Sequence, residues 1–209
     1  MRTRSVWVAA ETARASIKQI RLEYLCYTGH MSEILDVVNE HDEVIGQAER
    51  DEVHRAGLLC RLVYVCFYTA SGDVILQKRS LTKKNDPGKL TTAVSGHVSS
   101  GQNYIEAAIR ETLEETGLSL SEPNLISLGI VKAEYTQGNY VSNAMRGLFA
   151  YKFNGSAEDL LVEEGDGAGF VALSVEELGE QLSQEPEKFA KILSGQVGKD
   201  LIQKIKHLL

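Results

Sequence analysis

The segment GHVSSGQNYIEAAIRETLEETGL, residues 96–118, restricts the possible folds of this chain more than any other segment. It begins as a loop that contains two glycines and then takes on a helical pattern. Asn103 followed by Glu106 predicts a helix N-terminus closed by a capping box, and Gly117 predicts the helix end. The sequence therefore predicts a glycine-containing loop that leads directly into one capped helix.

Three carboxylates occupy one side of this predicted helix. At about 100° per residue, Glu111, Glu114 and Glu115 fall on one arc. The remaining arc carries the side chains that we expect to face the core, which are Ile105, Ala108, Ile109, Thr112, Leu113 and Thr116. Like charges three or four residues apart destabilise an exposed helix. A divalent cation that binds oxygen ligands would offset the repulsion between these carboxylates. The alternatives are a solvated acidic face and a shared site for Mg²⁺ or Mn²⁺.

The spacing within this segment resembles the Nudix box, in which a glycine is followed at fixed intervals by a glutamate, an Arg-Glu pair, a Glu-Glu pair and a glycine. The residues that carry the resemblance are Gly96, Arg110, Glu111, Glu114, Glu115, Gly117 and Leu118. The chain departs from the box at Gln102, where the pattern has glutamate, and at Thr112, where it has an apolar residue. Thr112 still offers a methyl group to the core, but Gln102 removes a negative charge beside the acidic cluster.

The resemblance implies a metal-dependent hydrolase that cleaves the pyrophosphate bond of a nucleoside diphosphate linked to another moiety. Glu111, Glu114 and Glu115 are then expected to converge on a pocket that holds Mg²⁺ or Mn²⁺. Glu114 and Glu115 are expected to take part in catalysis, and Arg110 to brace the site from the same helix. Cations at these carboxylates would neutralise the diphosphate and lower the pKa of a bound water molecule.

Other site residues are expected outside the three glutamates. The resemblance places the general base at a box glutamate or at a carboxylate on a late loop, where Glu163 and the preferred Glu164 are candidates. Arg79 ends an apolar strand pattern and is expected to bind substrate, as is the backbone at Gly96. A solvent-exposed ion pair remains the alternative for Arg79.

A longer pattern resembles the branch of the Nudix superfamily that contains isopentenyl diphosphate isomerase and its hydrolase relatives. It is carried by the segments DVVNEHDEVIGQAERDEVHRAGLL, VILQKRSLTKK and PGKLTTAVSGHV. His54 and His97 match histidines of the isomerase, but Cys60 stands at the third histidine position and Ser95 replaces the catalytic thiol. Because an alcohol is a far weaker acid than a thiol, we expect hydrolysis in preference to isomerisation.

Two functions without catalysis remain as alternatives. Gln102 is consistent with a weakened Nudix domain that binds a nucleotide or a partner without hydrolysing it. The acidic helix could also belong to a scaffold with no ligand.

Composition limits the class of protein. The chain has 209 residues, 43% of them apolar and 24% charged, which indicates a soluble globular domain. Its net charge of −7 argues against binding of nucleic acid, and no apolar run is long enough for a membrane span. Three cysteines without metal-like spacing favour a reducing, cytoplasmic location. A homodimer is the commonest assembly and is possible here.

The order of predicted elements indicates an α/β fold, a Nudix-type α/β/α sandwich with a mixed β-sheet between helices. Residues 1–30 carry five basic and two acidic side chains, and we expect them to form a poorly ordered or loosely attached extension. Residues 31–209 are expected to form a single domain. Within it, residues 91–97 are predicted as one strand, and Pro186 and Gly195 are predicted to bracket a helix.

Overall fold

The computed structural model describes residues 33–163, 165 and 167–209. The expected extension at residues 1–30 lies outside the described residues, and so does Glu164. In the part of the chain that is described, no helix is both long and apolar enough to cross a membrane.

The described chain begins with a small antiparallel sheet, as its alternating pattern predicts. Strand β1 (Ile34–Val38) pairs with β2 (Val44–Glu49). Helix α1 (Arg50–Ala56) follows and ends at Gly57, whose φ of 67° lies in the left-handed region that glycine adopts without strain. Leu35 of β1 and Val53 of α1 are fully buried against the main sheet.

Within the described residues, the main sheet has seven strands and is mixed. The strands are β3 (Cys60–Tyr68), β4 (Asp73–Arg79), β5 (Leu90–Thr92), β6 (Val94–His97), β7 (Leu125–Gln137), β8 (Tyr140–Lys152) and β9 (Gly167–Ser174). Their order is β5-β4-β3-β8-β7, with β6 also on β3 and β9 also on β4. The central pair, β3 and β8, is parallel, and the other pairs are antiparallel.

Helices cover both faces of this sheet. Alternate residues of β3 point to opposite faces, and apolar residues on each face are buried against helices. Helix α2 (Tyr104–Thr116) packs on the face that carries Val63 and Val65. Helices α3 (Val175–Gln184) and α5 (Gln196–Lys206) pack on the opposite face. The predicted α/β/α sandwich is therefore confirmed.

Local sequence signals define the helix ends. The predicted capping box of α2 is present, since the Asn103 side chain accepts the N–H of Glu106 and the Glu106 carboxylate accepts the N–H of Asn103. Gly117 ends α2 with a φ of 73°. Ser174 caps α3 in the same way. These interactions span at most a few residues, and a sequence pattern can therefore specify them.

Two predicted elements differ from the structure. The single strand expected at residues 91–97 is two strands, because β5 pairs with β4 and β6 pairs with β3. The helix expected between Pro186 and Gly195 is a 3₁₀ turn followed by the short helix α4 (Lys191–Ser194). Between these two elements the backbone is extended at Phe189 and Ala190. The N–H of Ala190 donates to the carbonyl of Leu90 at 2.8 Å, which holds this segment against β5.

Candidate active site

The three glutamates of α2 lie in different environments. The Glu114 side chain is 43% exposed and that of Glu111 is 12% exposed. Glu115 is only 5% exposed, although its helical position had suggested the side away from the core. It is buried because β4 and β6 cover this edge of the helix, as the following contacts show.

The Glu115 carboxylate is held from two strands. Gln77 Nε2 of β4 donates to Glu115 Oε2 at 2.8 Å, and the backbone N–H of Ser95 in β6 donates to Oε1 at 3.3 Å. Each oxygen thus accepts a hydrogen bond, which stabilises the ionised form. The sequence did not identify Gln77. The available signal was a polar residue that continues the buried apolar run Val74, Ile75 and Leu76.

The carboxylate of Glu111 lies directly over the backbone of Gly96. A Cβ atom at Gly96 would stand 1.9 Å from Glu111 Cδ, which is far inside van der Waals contact. Glycine is therefore required at this position to make room for the Glu111 side chain. The sequence-based expectation that the Gly96 backbone contacts substrate remains a prediction.

Arg110 connects the acidic helix to the loop that precedes it. Its Nη1 lies 3.0 Å from Glu114 Oε2, and its Nη2 lies 2.9 Å from Glu111 Oε1. Nη2 also donates to the carbonyl of His97 at 2.8 Å, and Nε donates to Gln102 Oε1 at 3.2 Å. Arg110 is positioned to brace the site, and Gln102 supplies a neutral oxygen where the Nudix pattern has a charged one.

Thr112, the second departure from the box, fits the helix without disruption. It is fully buried, and its hydroxyl donates to the carbonyl of Ala108 at 2.7 Å. The hydroxyl therefore needs no partner from outside the helix, and the methyl group faces the core.

The carboxylates do not converge in the way that we expected. Among the described residues, no three histidine, cysteine, aspartate or glutamate side chains form an arrangement that could hold a metal ion. Glu111 and Glu114 pair with Arg110, and Glu115 turns toward β4. The donor chemistry nevertheless fits Mg²⁺ or Mn²⁺, because three carboxylates against one guanidinium leave two negative charges on hard oxygen ligands. A cation there would draw side chains away from Arg110.

Arg79 has a different position from the one expected of a phosphate ligand. Its Nε and Nη2 both donate to the backbone carbonyl of Asn85, at 3.1 and 3.0 Å. The guanidinium thereby closes the loop that follows β4. Its role in substrate binding remains a prediction that requires release of this carbonyl.

The late loop that carries Glu163 and Glu164 ends beside the site. A Cβ at Gly167 would lie 3.5 Å from Gln77 Nε2, so the start of β9 adjoins the side chain that holds Glu115. The hydroxyl of Thr82 donates to the Gly165 carbonyl at 3.3 Å, which joins the late loop to the loop after β4. The position of Glu164 lies outside the described residues.

A buried pair of histidines is formed by His54 of α1 and by His97, which follows Gly96 in β6. His54 Nε2 and His97 Nε2 are 2.7 Å apart, and the Tyr140 ring stacks on His54 with centroids 4.2 Å apart. His54 Nδ1 faces the carbonyl of Val141 at 2.9 Å and must therefore carry a hydrogen. In the neutral pair, His54 Nε2 is then an acceptor and His97 Nε2–H donates to it.

Burial keeps His97 neutral near pH 7. The pKa of His97 lies well below its usual range, first because the ring is buried and then because Arg50, His54, Arg110 and Arg146 disfavour a positive charge on it. The third position of the isomerase pattern, Cys60, is fully buried, and its thiol faces the Asn143 carbonyl at 3.7 Å. The two histidines thus form a satisfied structural contact.

Asp36 of β1 anchors the loop that leads into α2 and was not identified from the sequence. Its Oδ1 accepts from Ser100 Oγ at 2.7 Å and from Gln47 Nε2 at 3.1 Å, and its Oδ2 accepts the N–H of Gly101 at 3.1 Å. Burial alone would raise the pKa of Asp36, but the three hydrogen bonds outweigh it and hold this pKa below its ordinary value. Only the tertiary structure brings Asp36 to this loop.

We expect Asp36→Asn to lower the free energy of unfolding at neutral pH by about 1–3 kcal/mol, because the new amide nitrogen faces a hydrogen-bond donor. A lowered folded-state pKa contributes stability above the unfolded-state pKa, and this contribution is lost as the pH falls through the folded-state pKa. The difference between wild type and variant should therefore shrink below about pH 5. Urea unfolding across that range measures it, and a difference that does not vary with pH would contradict the assignment.

Sequence comparison identifies the family. A NUDIX domain profile matches residues 59–193, which is more than half of the chain and includes the whole glycine-loop and helix segment. The chain belongs to the Nudix family. This Nudix chain is similar to an uncharacterized Nudix hydrolase of Clostridium acetobutylicum, with 28% identity over 156 residues. The match covers 73% of this chain and 75% of that protein.

Two further proteins are similar to this chain. An uncharacterized Nudix hydrolase of Streptomyces coelicolor is 41% identical over 87 residues, which are 42% of this chain and 48% of that protein. The crystal structure of a Deinococcus radiodurans protein is similar with a TM-score of 0.63 and 25% identity, and covers 83% of this chain and 99% of that one. The Nudix resemblance is confirmed, whereas the isomerase-containing branch remains a prediction.

Proposed function

We propose that this Nudix domain is a metal-dependent hydrolase that cleaves the pyrophosphate bond of a nucleoside diphosphate linked to another moiety. The observation that carries the proposal is the buried and hydrogen-bonded carboxylate of Glu115, which is 5% exposed and accepts hydrogen bonds from both Gln77 and Ser95. Burial of a carboxylate costs free energy, and a functional site is where such a group is expected. The family membership supports hydrolysis of a pyrophosphate bond.

In this proposal, Glu111, Glu114 and Glu115 hold Mg²⁺ or Mn²⁺. The bound ion would neutralise the diphosphate and lower the pKa of a water molecule. Gln77 and Ser95 fix the direction of the Glu115 carboxylate. Arg110 pairs with both Glu111 and Glu114, and a cation bound by these carboxylates would take its place.

For the general base we propose Glu164, with Glu163 or a box glutamate as alternatives. The late loop ends at Gly167, next to the side chain that holds Glu115. A carboxylate on that loop could accept the proton of an attacking water molecule, while the three glutamates of α2 remain available to bind the metal ion.

Hydrolysis is proposed in preference to isomerisation because Ser95 stands where the isomerase requires a thiol. Its backbone N–H also donates a hydrogen bond to Glu115.

A second candidate function is binding of a nucleotide or a partner without hydrolysis. It is favoured by Gln102, which offers Arg110 a neutral oxygen. We also propose a cytoplasmic location, because an odd number of cysteines without metal-like spacing favours a reducing compartment.

A panel of nucleoside diphosphate derivatives, assayed with Mg²⁺ or Mn²⁺ and with a chelator, tests the proposal. We expect metal-dependent cleavage of at least one compound, with loss of activity in Glu114→Gln and Glu115→Gln. Ligand binding that persists without metal and without cleavage would support the second candidate instead. A protein with affinity for neither metal nor nucleotide would contradict both.

We expect Gln102→Glu to raise kcat/KM. A carboxylate at this position would replace the neutral acceptor 3.2 Å from Arg110 Nε with a charged one and restore a negative charge beside the acidic cluster, and we expect an effect of about 1 kcal/mol or a few-fold in rate. Gln203→Glu, the same charge change on the exposed face of α5, serves as the control. An unchanged kcat/KM in Gln102→Glu would show that the departure from the box does not weaken this site.

A further inference from the structure

Gln77 links three elements at the proposed site. It lies in β4, is only 3% exposed, and donates through Nε2 to Glu115 of α2 at 2.8 Å. The backbone of Gln77 pairs with Phe170 of β9, and its side chain adjoins Gly167 at the end of the late loop. One buried amide therefore contacts the acidic helix and the strand that follows the candidate base.

We propose that Gln77 is a positioning residue that fixes the Glu115 carboxylate for metal binding. This inference rests on the proposed hydrolase function. A glutamate side chain has three rotatable torsions, and fixing it in one conformation before the cation arrives lowers the entropy cost of binding. Carboxylates that bind metal ions are themselves hydrogen-bonded in this way, and loss of such a partner typically weakens metal affinity or activity about 10–100-fold.

The amide is suited to this role by its charge. A lysine or arginine at position 77 would place a positive charge against Glu115 and oppose binding of a cation. An apolar side chain would leave a buried carboxylate oxygen without this donor. Glutamine donates an N–H and leaves the full negative charge of Glu115 for the metal ion.

Gln77 is also the donor that a substitution can remove. Ser95 donates to Glu115 through its backbone, so a change of side chain there leaves the hydrogen bond in place. Gln77→Met removes the amide with little change in volume. Gln77→Asn keeps the amide but withdraws it by one methylene, and serves if the methionine variant does not fold.

The test measures Mn²⁺ binding to the full chain by electron paramagnetic resonance, in the absence of substrate, together with kcat, KM and thermal unfolding. We expect a 10–100-fold increase in the Kd for Mn²⁺ and a lower kcat, with KM changed less than kcat. The control is Gln137→Met, a glutamine of β7 on the opposite edge of the sheet, which should bind Mn²⁺ as wild type does.

The outcomes separate this inference from the proposed function. Weaker Mn²⁺ binding in Gln77→Met, with no hydrolysis of the panel by wild type, would support positioning and overturn the hydrolase proposal. Hydrolysis by wild type, with unchanged Mn²⁺ affinity and kcat in a folded Gln77→Met, would overturn positioning alone. A loss of thermal stability with unchanged Mn²⁺ affinity would likewise overturn it, since Gln77 would then be merely structural.

Discussion

Glu115→Gln is expected to fold and to lose at least about 2 kcal/mol of transition-state stabilisation, or about 30-fold in kcat/KM. The substitution removes the negative charge of a proposed metal ligand while keeping its shape. It should also lower the free energy of unfolding by about 1–3 kcal/mol. Both oxygens of Glu115 accept hydrogen bonds, whereas a glutamine has one acceptor and would turn its NH₂ toward Gln77 or Ser95.

Glu114→Gln separates these two effects. Its side chain is 43% exposed and pairs with Arg110 at the surface, so we expect a comparable loss of kcat/KM with little loss of stability. Glu122→Gln, the same change at an exposed position beyond α2, should alter neither quantity. Steady-state kinetics with Mg²⁺ and thermal unfolding measure the two effects. If Glu115→Gln kept the kcat/KM of the wild type, the proposed role of Glu115 as a metal ligand would be contradicted.

Gly96→Ala is expected to destabilise the fold by about 1–3 kcal/mol and to reduce kcat/KM by up to about 100-fold. The new Cβ would stand 1.9 Å from Glu111 Cδ, so the glutamate or strand β6 must move. Glu111 is the more mobile of the two, but its displacement breaks the ion pair with Arg110 at 2.9 Å. The catalytic loss follows because a proposed metal ligand is moved by more than a bond length.

A double-mutant cycle with Glu111→Ala identifies the cause. If the clash with Glu111 is responsible, Gly96→Ala should cost little stability once Glu111 has been truncated, so the two changes will not add. Gly46→Ala in β2 is the matched control, because no atom lies within 4 Å of its Cβ position. Equal destabilisation by Gly96→Ala with and without the Glu111 carboxylate would contradict this explanation.

The sequence predicted those parts of the fold that depend on neighbouring residues. The capping box between Asn103 and Glu106 and the glycine end of α2 involve residues up to four positions apart. The alternating pattern of residues 34–49 likewise predicted a hairpin, and it is confirmed. The pairing partners of β5 and β6 were not predicted, because strand pairing is decided by contacts distant in sequence.

By itself, the sequence determined the type of site: three carboxylates and an arginine on one helix, next to a glycine loop, in an order that identified the Nudix family. Only the tertiary structure decided how these groups differ. Glu115 is buried because β4 and β6 approach it with Gln77 and Ser95, and Asp36 of β1 holds the loop before the helix. These contacts join residues 20 to 65 positions apart. A helical pattern determines the direction of each side chain, but the strands packed against the helix determine what each side chain meets.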